Sequence, residues 1–142
     1  RGIFTGPARS QALDGLLNVL RRHVRKKGEL LVFANMPTVH MLTETRPYLG
    51  VSWIKSLSAG QLRAALEKAD SLKRELPVVV AHKRNVGEAA WPSRASAYLT
   101  APYVIDRFAV LQDFLRLHRY NCVWENDEFL VWSPLPDGGA LP

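Results

Sequence analysis

The chain has 142 residues, 47% of them hydrophobic and 23% charged, with a formal net charge of +6. That length suits one domain with a real core, and the composition excludes a disordered chain. Its longest apolar runs, Leu30–Ala34 and Val78–Ala81, are far short of the roughly 20 residues that span a bilayer.

Taken in chain order, Ser10 is the expected N-cap of a first helix, with Leu13, Leu16, Leu17, Leu20 and Val24 at helical spacing. The helix is expected to stop in the basic run 21–27 before Gly28, cations in the last turn complementing the helix dipole. Glu29–Ala34 reads as a buried strand, and Pro37–Thr43 as a short helix or turn. Tyr48–Trp53 is a possible second strand. Ser58 and Gln61 have the spacing of a capping box ahead of the stripe Leu62, Ala65, Leu66, Ala69 and Leu72. Pro77–Ala81 is the clearest buried strand, because its β-branched triplet suits the inside of a sheet.

Residues 84–101 read as a long irregular loop. A last helix is expected over 102–118 with Val104, Phe108, Leu111 and Leu115 on one stripe. It leads to strands at 120–125 and 128–133, paired about Asn126-Asp127. In that hairpin Cys122 and Trp124 are expected on one face and Val123 on the other. Alternating helices and buried strands predict a three-layer α/β/α sandwich with a mostly parallel sheet and a C-terminal antiparallel hairpin. The strands at 30–35 and 77–82 are expected adjacent and parallel at its centre. The whole of 1–142 is expected to be a single domain, with a core over about 10–134 and a tail at 135–142. Arg1 in place of Met and the tail 135–142 are expected of a piece cut from a longer protein.

Motifs for chemistry are sparse. No G-x-G-x-x-G follows a strand and no G-x-x-x-x-G-K-[ST] occurs. His23, His40, His82 and His118 lack metal-ligand spacing, so neither a metal nor a cofactor is expected. No G-x-S-x-G elbow selects a nucleophile, so no catalytic residue is expected. The lone Cys122, beside Val123 and Trp124, is expected to be a buried structural thiol. The basic run 21–27 is expected to be the polar end of its helix, having no aromatic residue for stacking on bases.

Ligands of open α/β sheets usually bind beyond the carboxyl ends of the strands. Those ends deliver Asn35 and His40 after the first strand, and His82, Lys83, Arg84 and Asn85 after the Val78–Val80 strand, with Trp91 above. These seven are the candidate binding residues, a cationic and amide-bearing rim suited to an anionic head group or sugar phosphate. The competing expectation is that the rim is ordinary wet polar surface, with Lys83 and Arg84 paired to nearby carboxylates.

The stretch Leu31–Pro47 and, after it, Val78–Arg84, Trp91-Pro92 and Leu111–Trp132 carry a resemblance. The chain is similar to the soluble C-terminal extracytoplasmic domains of the dolichyl-phosphate-mannose-protein mannosyltransferase-like family and its lipid-A aminoarabinose transferase relatives. In them a strand ends in a small residue and Pro, a short helix carries a Leu-Thr segment, and a basic residue and Pro follow. Here His40-Met41-Leu42-Thr43 stands where two aromatics and Leu-Thr are more usual, and Arg46 alone precedes Pro47. The resemblance covers about residues 10–133. It implies a non-catalytic domain at the periplasmic face of a bacterial inner membrane, partnered by the transmembrane part of the same protein. An anionic lipid-linked sugar is the implied ligand, with no nucleic acid expected. The catalytic carboxylate of such proteins lies between their transmembrane helices. The alternative is a stand-alone basic binding module for nucleic acid or another polyanion.

Overall fold

The computed structural model describes residues 6–33, 36–83 and 102–135, the last segment with side chains from residue 106 onward. Helix α1 (Pro7–His23) leads to strand β1 (Glu29–Phe33), short helix α2 (Thr38–Thr43) and the two-residue strand β2 (Arg46–Pro47). A 3-10 turn (Ile54–Ser56), helix α3 (Ala59–Ser71) and strand β3 (Val78–His82) follow. Helix α4 (Pro102–Leu117) and strands β4 (Tyr120–Glu125) and β5 (Phe129–Pro134) complete the described chain. The expected loop 84–101 lies outside the described residues.

The five strands form one sheet in the order β2-β1-β3-β5-β4. β1 lies parallel to both β2 and β3, whereas β5 is antiparallel to both β3 and β4. The sheet is therefore mixed rather than mostly parallel, because the returning hairpin supplies two of its strands. β1 and β3 are neighbours as expected, registered Leu30 to Val78 through Phe33 to Ala81. Every residue of β3 is buried.

The alternation of side chains along the strands divides the core in two. Leu30, Val32, Val78, Val80, Phe129 and Val131 face Leu16, Val19 and Leu20 of α1 and Val39 of α2. Leu31, Val79 and Ala81 face Leu62, Leu66 and Ala69 of α3 and Val110, Leu111 and Phe114 of α4. α1 buries Val19 rather than the expected Leu17, and Leu72, expected on the α3 stripe, is 64% exposed.

Local chemistry sets the boundaries. α1 starts at Pro7 after an extended Gly6, with Ser10 N–H donating to the Gly6 carbonyl at 3.0 Å. Proline at the first helical position needs no donor there, so the helix begins earlier than a cap at Ser10 would allow. The capping box of α3 is present: Gln61 N–H donates to Ser58 Oγ at 3.2 Å, and Ser58 N–H to Gln61 Oε1 at 2.9 Å. The expected strand Tyr48–Trp53 does not form. Pairing with β1 stops after Tyr48 N–H donates to Leu30 O, and Gly50, at φ 73°, turns the chain.

The hairpin connection spans 126–128. Asn126 Oδ1 accepts from Glu128 N–H at 2.9 Å and Phe129 N–H at 2.7 Å, while its amide donates to the Ala12 carbonyl of α1. A bulge at Val123 corrects the expected facing: Cys122 pairs with Trp132 but Trp124 with Val131. Trp132 and Val131 point to opposite sides, so Cys122 and Trp124 do as well. Trp124 packs over α1, where a Cβ on Gly15 would come within 3.0 Å of its ring. Cys122 is exposed, contrary to expectation, because β4 is the edge strand and, among the described residues, no helix covers its middle.

Candidate functional site

The carboxyl ends of β1 and β3 do lie side by side, and there His82 and Lys83 sit next to the hairpin turn. His82 is 5% exposed, its Nε2 3.5 Å from a Glu128 carboxylate oxygen and its ring edge-on to Phe129. Lys83 N–H donates to the Glu128 carbonyl, and its ammonium pairs with Glu125 at 3.1 Å. His40 is buried under α2, its Nδ1 3.2 Å from Thr45 Oγ1. Burial holds the His40 imidazole below its ordinary pKa, since the charged form loses hydration. Asn35, Arg84, Asn85 and Trp91 lie outside the described residues. Of the seven, the described ones thus comprise two buried histidines and an ion-paired lysine.

The opposite edge of the sheet is built differently. The four helices of the described residues all end there. His118 after α4 meets Asp70 of α3 at 2.9 Å, Tyr120 donates to the Pro77 carbonyl, and Lys27 N–H donates to the Glu44 carbonyl after α2. Helix ends need a left-handed residue or another partner for their last carbonyls, and glycine is its usual occupant. Here the left-handed positions are Lys73 (φ 50°) after α3, Arg119 (φ 54°) after α4, Glu44 (φ 53°) after α2, and Lys27 (φ 61°) in the turn after α1. Lys73 N–H bonds the Asp70 carbonyl and Arg74 N–H that of Ala69, the double bond pattern of a Schellman ending.

Two clefts open along this edge. One, of about 580 Å³, is lined by His23, Arg25, Glu29, Arg46, Arg74 and Glu75 among others. The second, of about 710 Å³, is lined by Arg21, Arg22, Arg25, Lys26 and Glu44 together with apolar residues of α1 and α2. Lys26 pairs with Glu44 at 3.1 Å, and Arg74 with Glu29 at 2.6 Å while lying over the Tyr48 ring. Among the described residues, Arg22, Arg25, Lys27, Lys73 and Arg119 make no ion pair with a carboxylate.

Behind the clefts Tyr48 is buried in the core and Tyr120 packs half-buried against it. Burial raises both phenol pKa values, with Asp70 adding to the effect on each. Such an edge can attract anions by charge. Among the described residues there is no group of three or more His, Cys, Asp or Glu side chains placed to hold a metal.

The run 21–27 is contiguous in the sequence, where it is expected to be only the polar end of its helix. Arg46, Lys73, Arg74 and Arg119 join it only through the folding together of four helix ends. Comparison of the chain with models of protein families, with curated proteins and with solved structures finds no match.

Proposed function

We propose that the chain is a non-catalytic extracytoplasmic domain of a bacterial membrane glycosyltransferase-like protein, which contributes to substrate or partner binding beside the membrane part. One observation supports this reading above others: the described residues of the stretch Leu31–Pro47 form elements that meet at β1. α2 follows β1 in the chain, Glu44 closes that helix in the left-handed conformation, and Arg46-Pro47 returns as β2 beside β1. The helices on both faces are read in the same proposal as a three-layer α/β/α sandwich. Among the described residues no helix is long and apolar enough to cross a membrane, so in this reading the spanning segments belong to other parts of the protein.

Cys122 provides the test, being the lone cysteine of the chain and exposed. In intact cells carrying the whole protein, with any cysteine outside this chain replaced by Ser, a membrane-impermeant maleimide is expected to label Cys122, and Cys122→Ser to remove that label. Labelling only after lysis would place the domain in the cytoplasm and defeat the reading. The isolated chain is expected to transfer no sugar from a polyprenyl-phosphate donor, and turnover abolished by a substitution within it would contradict the non-catalytic role. The second reading, a basic module for nucleic acid or another polyanion, draws its support from the cations gathered at the helix ends.

A further inference from the structure

We propose that the edge of the sheet where the four helices end is a docking face for an anionic lipid bilayer. The first observation is charge: Arg22, Arg25, Lys27, Lys73 and Arg119 are exposed, and none is ion-paired to a carboxylate among the described residues. The second is backbone conformation. Lys27, Lys73 and Arg119 occupy left-handed positions that glycine would fill without steric cost. Complementing a helix dipole explains cations in a last helical turn. It does not explain cations placed beyond the helix at strained positions, where retained strain points to a use for the side chain.

The third observation selects the partner. Leu72 and Leu117, at the ends of α3 and α4, are 64% and 72% exposed, and each is followed within two residues by a left-handed cation. The His118–Asp70 contact ties these two ends together, and Leu135, 42% exposed, donates its N–H to the Arg119 carbonyl beside them. Protruding leucines among cations suit the boundary between head groups and acyl chains. Single-stranded nucleic acid would instead favour aromatic stacking platforms, and a duplex held through its phosphates would have no use for protruding leucines. At this edge Tyr48 is fully buried and Tyr120 uses its hydroxyl on the Pro77 carbonyl. The inference stands apart from the glycosyltransferase reading, since it needs only this surface.

The test is co-sedimentation of the chain with vesicles of phosphatidylglycerol and phosphatidylcholine in equal parts, against vesicles of phosphatidylcholine alone, with a duplex oligonucleotide as competitor. Binding to the anionic vesicles alone is expected, weakening with salt as the Debye length shrinks below ~10 Å. Lys73→Gly with Arg119→Gly removes two charges while relieving the backbone, so the double variant is expected to melt no lower than the parent. Its binding is expected to fall about 25-fold, at about fivefold for each cation near an anionic surface. Leu72→Ser with Leu117→Ser is expected to keep the fold and abolish the salt-resistant part of binding. Lys83→Ser, at the opposite edge, is expected to bind as the parent does. Equal binding to phosphatidylcholine, parent-like binding by the glycine double variant, or loss confined to Lys83→Ser would overturn the proposal. So would duplex binding that depends on Lys73 and Arg119 without vesicle binding.

Discussion

Tyr48 heads the fully buried side chains by size, yet its hydroxyl has no hydrogen-bond partner among the described residues. A buried hydroxyl without a partner loses its hydration with nothing in return. Tyr48→Phe is therefore expected to stabilise the fold by about 1 kcal/mol, measured by urea unfolding. A loss of stability would reveal a partner for the hydroxyl. His40 supplies a pH-dependent counterpart. Burial lowers its pKa from 6.5, so the folded state keeps the ring neutral while the unfolded chain protonates it. Its contribution is present above the unfolded value and is lost as pH falls through the lower folded value. The drop in melting temperature between about pH 7.5 and about pH 5.5 is expected to be smaller in His40→Gln than in the parent. Neither role was legible in the sequence. His40 follows a strand and so reads as a rim residue, but α2 turns it inward against Thr45.

Among the elements, α3 has a start that residue types alone announce, as β1, α4 and β4 also begin where the sequence places them. A capping box is local, involving only Ser58 and Gln61, and both of its hydrogen bonds form. Ser58→Ala is expected to cost about 1 kcal/mol by thermal denaturation, with little change if the helix end is held mainly by the preceding 3-10 turn. Strands β1 and β3 were equally legible, since fully buried strands announce themselves as unbroken apolar runs. β2 was misread because its pairing ends where Gly50 turns the chain, a choice made by tertiary contacts with β1. The basic edge was not legible as a site: the run 21–27 reads as the polar end of α1, and Lys73 and Arg119 come to the same end of the sheet only once α3 and α4 have folded onto it.

At the scale of the molecule, one sheet serves both halves of the core. Leu20 packs on one side of it and Leu31 on the other, both at 1% exposure or less. Leu20→Ala and Leu31→Ala are each expected to cost about 2–5 kcal/mol. Because the strands are shared, each variant is expected to unfold in one transition by both fluorescence and circular dichroism. Separate transitions for the two probes would show the halves to be independent.

The bulge at Val123 also bears on how the chain lives with its own copies. β4 ends the sheet and leaves a row of main-chain donors and acceptors facing outward, the kind of border that invites a second chain to add a strand. A strand with one extra residue is bent and twisted out of line, so another copy cannot lie flat along it. The other border is only the two residues of β2, too short to serve as a template. Deleting Val123 would straighten β4 and restore an even alternation along it. That deletion is expected to make the chain associate more strongly with rising concentration, as light scattering would record.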